Sequence, residues 1–463
     1  MEDTTRQQKS HSQPAIPLVL SLCAISFVFI YLIYSKNIVF GSDAEGFSYA
    51  YFETVQNMPR WILFAVLLLL AAFVFGGSRM IQKKEKLTLV GGLVLAIAIQ
   101  ILVQKIYPYP LEQNITSIDS NSFYTVALHY SPGDLLAHFL TLAPTFPEHA
   151  QTNMPGKILL FQFLGVFSSS PQVVGYLIVF ISTSGGLLLY AICKRLFQDR
   201  TVGFYAFILY TLIPCKQAFL PILNTVTPVF ILLSLYLFIL YLDSSRKWFL
   251  LLLGGSLYAL ALFEPSPFIM GILFLGVLYR SYDQKKIAIK DLVWIILIPI
   301  LTFLALHFLL VIFLKFDIIQ ALQYVFKDAA DFNVRVGRRA SFWMKEDLKE
   351  FFFAAGLPVM LLFVYTLLDL LTQWKMLLKS FLHWPMNQIY ILCLCLTLGV
   401  VLLLGINLGE ISRLWIYLAV FFQVPAAVYL AREARSNFLF FVLSGTLVLQ
   451  TMITIQRVGF VLP

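Results

Sequence analysis

The 463-residue sequence predicts an all-α, polytopic membrane protein. Its residues are 60% hydrophobic and only 12% charged, whereas soluble domains carry about twice that charge. Mean hydropathy is +0.84, and apolar runs of about 20 residues, the length that crosses a bilayer, recur from end to end. A soluble domain with a single anchor is excluded by that recurrence.

Taken in order, the apolar runs predict about 13 transmembrane helices, at 16–39, 61–77, 87–107, 171–193, 202–221, 226–242, 248–263, 266–279, 292–314, 352–371, 388–405, 414–431 and 438–456. Around ALFEPSPF (261–268) the pattern fits either two short spans or one broken helix. The polar start, MEDTTRQQKSHSQP, leads into the first run with no small-residue cleavage site, which reads as an uncleaved span rather than a signal peptide. The chain divides into a three-span segment (1–107), a loop (108–170), central spans (171–314), a basic loop (315–351) and C-terminal spans (352–463).

The net charge of +9 sits mostly in short loops between apolar runs, so it predicts orientation and not nucleic-acid binding. With the N-terminus cytoplasmic, GSRMIQKKEK (77–86), KRLFQDR (194–200), DSSRK (243–247), RSYDQKKIAIK (280–290), WKMLLK (374–379) and AREARS (431–436) all fall inside. An odd span count then puts the C-terminus outside, with the two long loops. The five cysteines lie in or beside apolar runs and form no disulfide or metal pattern.

The loop 108–170 is about 60 residues, too long for a plain connection. It carries His129, His138 and His149 with Asp119, Asp134 and Glu148. SFYTVALHY, LLAHFLTLAP and KILLFQFLGVF within it have the length of interfacial helices. The loop 315–351 carries Lys327, Arg335, Arg338, Arg339, Lys345 and Lys349 on the side where positive charge is normally scarce. An acidic, His-bearing loop and a basic loop on one face predict a site at the outer surface. Carboxylates there suit a divalent cation or proton removal from a hydroxyl, and arginines suit phosphate oxygens.

The run from SIDSNSFYTVALHY through SPGDLLAHFLTLAPTFPEHAQTNMPGK to PQVVGYLIVFISTSGGLLLYAICKRLFQDRTVGFYAFILYTLIP resembles the amino-terminal half of the GT-C superfamily. It is most similar to the protein-mannosyltransferase-like branch of polyprenyl-phosphate-sugar glycosyltransferases. Asp119 and Tyr124 match that branch's acidic residue and following tyrosine, Pro155-Gly156 its Pro-Gly element, and Lys194–Phe197 its basic turn. GINLGEISRLWIYL (405–418) resembles a later G-E-x-x-R-x-W element. Two departures stand out. The family's His before Pro-Pro-Gly is replaced by Asn153-Met154, leaving His149 as the nearby imidazole, and LNTVTPVF (223–230) lacks the acid of the next hairpin. DAEGFSYAYFE (43–53) is a rival acidic loop without the His and Pro-Gly features.

The resemblance implies a GT-C-like fold and an inverting glycosyl transfer. The sugar would pass from a polyprenyl-phosphate donor to a glycan, lipid or protein acceptor. It also implies a bacterial plasma-membrane protein with its site facing outside, no soluble cofactor, and a divalent cation as an option. Asp119 would orient or deprotonate the acceptor, although SIDSNS equally fits an Asx turn. Asp134 reads as a cap for a helix starting at Leu135. Arg413 and one or more of Arg335, Arg338 and Arg339 would hold the phosphate, while Glu410, i−3 from Arg413, would orient it; a plain ion pair and a solvated basic face are the alternatives. His149, Asn153 and Lys157 would shape the pocket floor, and Glu264 reads as a helix-end residue beside Pro265. A transporter or flippase for a lipid-linked or anionic substrate is the rival reading, favoured only by ALFEPSPF; a non-catalytic relative is the third.

Overall fold

The computed structural model describes residues 15–53, 58–373, 384–405 and 407–460. Among these, nine helices are long and apolar enough to cross a bilayer: Ala15–Tyr34, Arg60–Met80, Glu85–Gln104, Pro171–Phe197, Leu223–Ser244, Ile289–Leu314, Met386–Leu404, Ile416–Ala434 and Asn437–Arg457. Ala340–Ala355 and Leu357–Thr372, bent by 110°, would add a tenth if taken as one span. The chain is a multi-pass, all-helical integral membrane protein.

The remaining predicted spans are shorter helices. The run at 202–221 is Arg200–Thr211 followed by Pro214–Ala218, and the runs at 248–263 and 266–279 are Trp248–Phe263 and Gly271–Asp283. Pro214 and Pro265 sit at the breaks, where a missing backbone donor and a fixed φ end a helix. Sixteen residues at 1.5 Å each reach about 24 Å, less than a hydrocarbon core of about 30 Å. Around ALFEPSPF the two arms form a hairpin, because Asp243, in the last turn of the helix that precedes one arm, binds Lys286 beyond the other's end (3.2 Å). The run predicted at 352–371 begins at Leu357, since Gly356 (φ +108) breaks the chain sharply there.

Ion pairs mark the two ends of the bundle. At one end Glu85 binds Lys194 (2.6 Å) and Arg200 (3.2 Å), Asp243 binds Arg195 (3.0 Å), and Arg432 lies 3.8 Å from Asp199. Loops expected to share one side therefore do so; WKMLLK (374–379) lies outside the described residues, as does the polar start. The opposite end gathers the loops around 41–51, 108–170, 315–356 and 405–415. Val458–Gly459 pairs antiparallel with Ala50–Tyr51 there, so the described C-terminal residues reach this end as well.

Six short α-helices and a 3-10 turn (Ala143–Thr145) build the 108–170 loop, from Leu111–Thr116 to Gly156–Gly165, and their apolar faces form a second core with Val174, Ile178, Tyr258 and Phe316. One predicted cap is different. Ser131, not Asp134, caps the helix Pro132–Ala137; it accepts from the Asp134 backbone N–H (3.1 Å) and donates to its carboxylate (2.6 Å). The chain turns at Pro132, whose fixed φ starts the helix earlier than Leu135.

Gly156 sets how closely the loop core meets the hairpin. A Cβ there would lie 2.7 Å from Phe263 Cα. Because backbone cannot swing aside, Gly156→Ala is expected to destabilise the protein by about 1–3 kcal/mol. A thermal unfolding series in detergent that finds no loss would show that this contact is soft.

Candidate functional site

At the loop-rich end a cleft of about 170 Å³ is lined by His149, Asn153, Lys157, Arg338, Glu410 and Arg413, together with Glu148 and Glu264. Four segments distant in sequence supply these groups, Glu264 coming from the break after Trp248–Phe263. Glu148–Gln151 and Gly156–Gly165 carry the first set, the turn before Ala340–Ala355 carries Arg338, and the turn before Ile416–Ala434 carries Glu410 and Arg413.

Two guanidinium groups share one carboxylate. Arg413 donates to Glu410 Oε2 (2.5 Å) and Arg338 donates to Glu410 Oε1 (3.1 Å). Burial pushes the Glu410 carboxyl up, but Arg413 and Arg338 together outweigh it and hold it below its ordinary range. Arg338 also donates to the Leu408 carbonyl and lies among the rings of Phe332, Phe47 and Trp343, 5.1–5.6 Å from their centroids. Its side chain is 5% exposed, yet its Nε–H has no partner among the described residues. A buried donor left unmatched costs free energy until something accepts from it.

The backbone under Glu410 is unusual. Gly409 and Glu410 are both left-handed (φ 77 and 58), which disfavours a residue with a side chain at 410. The helix Ala340–Ala355 pins the turn: Asp347 accepts from Gly409 N–H (3.0 Å) and Glu350 from Ser412 N–H (2.6 Å). The same helix grips the 41–51 loop. Tyr49 donates to Glu350 (2.8 Å), Trp343 to the Glu45 carbonyl (3.0 Å), and Arg339 to the Glu45 carboxylate.

His149 stands against Arg413, its Nε2 3.1 Å from Nη1. An arginine has no acceptor, so Nε2 must accept and the imidazole is neutral. The Arg413 charge, then burial, depress its pKa to about 3, against an opposing pull from Glu410 and a hydrogen bond to the Asp119 backbone. Deeper in, Lys157 pairs with Glu264 (3.0 Å) and donates to Asn153 (2.9 Å), while Thr227 donates to Glu264 (2.6 Å). Burial lowers the Lys157 pKa, and Glu264 offsets part of that shift.

Other predicted residues lie elsewhere. Asp119 is exposed in the first turn of Ile118–His129, and its carboxylate does not line the cleft; only its backbone meets His149. Ser117 caps the helix at Ile118, and a kink at Asn121 (φ −150, ψ 44) breaks it, leaving Asp119 in an exposed first turn while Asn121 to Phe123 are buried. Tyr124 packs edge-on against Phe161 (5.4 Å) in the loop core. Arg335 is exposed, 3.8 Å from Asp328. Arg339 braces the 41–51 loop through Glu45 instead of facing the cleft. His129 and His138 bond to their own helix carbonyls, Thr125 (2.7 Å) and Asp134 (3.2 Å). Glu264 is a buried partner of Lys157, a role its place beside a proline does not reveal. Glu148 lines the cleft and carries no ion pair among the described residues. Among those residues no cluster of three or more His, Cys, Asp or Glu is arranged to hold a metal ion.

Compared with protein-family models, curated proteins and solved structures, the chain matches none.

Two measurements probe the cleft. A base with a depressed pKa stabilises the fold above its unfolded value of 6.5 and loses that contribution as pH falls toward 3. Stability should therefore fall between pH 6 and 4.5 more steeply in the wild type than in His149→Gln; parallel curves would mean that His149 is not held neutral. Separately, Lys157→Met strands a buried carboxylate and should cost about 3–5 kcal/mol, much of it recovered in Lys157→Met with Glu264→Gln. Equal melting temperatures for single and double variants would contradict the pairing.

Proposed function

We propose that this protein is a membrane glycosyltransferase of GT-C type, transferring a sugar from a polyprenyl-phosphate donor to a lipid, glycan or protein acceptor at the outer membrane face. The supporting observation is a local excess of positive charge within the cleft: Arg338 and Arg413 share the one carboxylate of Glu410, and Arg338, the more buried of the two, keeps an Nε–H with no partner among the described residues. Such a site has room for one more anion. A phosphate whose other substituent is a prenyl chain suits a cleft at the end of a membrane bundle.

In the reaction the acceptor oxygen bonds to the anomeric carbon from the face opposite the phosphate. The carbon–oxygen bond to phosphate breaks, its electron pair stays with the phosphate, and a carboxylate takes the acceptor proton. Charge grows on the phosphate in the transition state, where Arg413 and Arg338 stabilise it. Neutral His149 holds Arg413 in place without competing for the anion. The resemblance nominates Asp119 as the base, whereas Glu148 is the unpaired carboxylate lining the cleft. Thirteen crossings, counting the shorter helices with the nine long ones, and the loop-rich end outside is the topology that accompanies this reading.

Purified protein in nanodiscs, given a panel of polyprenyl-phosphate sugars with membrane acceptors, should release free polyprenyl phosphate. Arg413→Lys keeps the charge but loses the planar fork, so it should slow transfer more than it weakens donor binding. Loss of the general base should cut turnover by at least about a hundredfold, whether in Asp119→Asn or in Glu148→Gln. A folded wild type that moves intact donor between leaflets and cleaves none is a transporter, and the transferase reading fails.

A further inference from the structure

The helix Ile318–Arg335 forms part of the cleft wall, and its sides are not alike. At about 100° per residue, Ile318, Ala321, Val325 and Phe332 share one face, which packs on the protein. Ile319, Phe326, Ala330 and Val334 form a second face roughly 140° away, and Gln320, Lys327, Asp331 and Arg335 a third roughly 100° beyond that. Ile319, Phe326 and Val334 are 50%, 45% and 80% exposed, and Gln323 is the one polar residue in their stripe. A helix between protein and water needs only two faces. An exposed apolar third face calls for a hydrocarbon neighbour.

The preceding segment supplies that neighbour. Ile289–Leu314 is the least buried of the candidate spans, and its last turn exposes Ile312 (70%) and Phe313 (75%). Only three residues follow before the next helix begins. Lys315 (φ 52) reverses the chain, and Asp317 caps the helix by accepting from Ile319 and Gln320 N–H (2.8 and 3.1 Å). The apolar stripe thus starts where a lipid-facing span ends. Lys327 and Arg335, on the adjoining polar face, lie where headgroup phosphates would be.

The cleft lies beside that stripe. The helix contributes Val325, Phe326, Ala329, Phe332 and Asn333 to the lining, an arc centred roughly 95° from the apolar stripe but roughly 165° from the polar face. Phe326 belongs to both the cleft and the stripe.

We propose that Ile318–Arg335 lies on the membrane surface with its apolar stripe in acyl chains, and that the cleft opens to hydrocarbon at Phe326 and not to water. Whatever anionic group occupies the cleft then arrives with a hydrocarbon chain leaving past Phe326. The helix placement is independent of glycosyl transfer; only the identification of the chain as prenyl rests on the proposed function.

The test is collision accessibility of spin labels on the full chain in nanodiscs. Labels at Ile319→Cys, Phe326→Cys and Val334→Cys are compared with Gln320→Cys, Lys327→Cys and Asp331→Cys, and the background from Cys393 and Cys395 is read from the unsubstituted chain. Oxygen concentrates in hydrocarbon and a nickel chelate in water, so the oxygen-to-nickel ratio should be at least about threefold higher along the stripe. Equal ratios would place the stripe in water; exclusion of both reagents would mean that protein, such as a second copy, covers it. Either result overturns the placement. Sugar-free polyprenyl phosphate with a brominated chain should then quench a fluorophore at Phe326→Cys more than one at Val334→Cys. Equal quenching overturns the route past Phe326, and because no sugar is present it does so whether or not the protein transfers one.

Discussion

One carboxylate, Glu410, holds two arginines from different parts of the chain, and the candidate site is organised around that shared pair. Without Glu410, a buried and a partly buried cation would face each other across a small cleft. Within that trio one positive charge remains in excess, which Glu148, elsewhere on the lining, balances over the cleft as a whole. The arrangement is costly to build. Glu410 occupies a left-handed backbone position, and two acidic residues of the Ala340–Ala355 helix are spent on the amides around it. Backbone strain held by surrounding structure is commonly found where geometry serves function.

The sharp bend at Gly356 makes that investment possible. A straight continuation of Leu357–Thr372 would carry Asp347 and Glu350 away from the 405–415 turn. Bent by 110°, the Ala340–Ala355 helix instead lies across the loop-rich end. It reaches the 41–51 loop on one side and the Glu410 turn on the other. The 41–51 loop therefore acts as a brace: its carboxylate Glu45 engages Arg339, and its Phe47 ring packs against Arg338. Arg338 and Arg339 are sequence neighbours that end in different places, one in the cleft and one against the brace.

The second half of the site obeys the same economy of charge. Lys157 and Glu264 are both buried, and each has a further neutral partner, Asn153 and Thr227. Buried ions are tolerated when paired and fully hydrogen-bonded. The Asn153 that departs from the resembled family's histidine is thus occupied as an acceptor for Lys157 and a donor to the His149 carbonyl (2.8 Å). His149, four residues earlier, holds the place against Arg413.

Hydropathy and charge along the chain were enough to determine the all-helical membrane class, most of the spans, the shared side of the described basic loops and the polar character of the two long loops. Each depends on composition within a window, because transfer of a segment into a bilayer is close to additive over its residues. His149, Lys157, Glu410 and Arg413 were legible as candidates for the same reason: charge and imidazole beside apolar runs are conspicuous. Which of them meet was not legible. Arg413 and His149 are 264 residues apart, and Arg339 and Glu45 are 294 apart. Hydropathy windows carry no information about pairs at such distances. Asp119 and Arg339 had the right chemistry and the right end of the bundle, but a short first turn ahead of a kink at Asn121 left one exposed and a bracing contact claimed the other. Tertiary packing alone decided these assignments, because an ion pair requires its two groups within about 4 Å, and only the folded bundle brings distant loops that close.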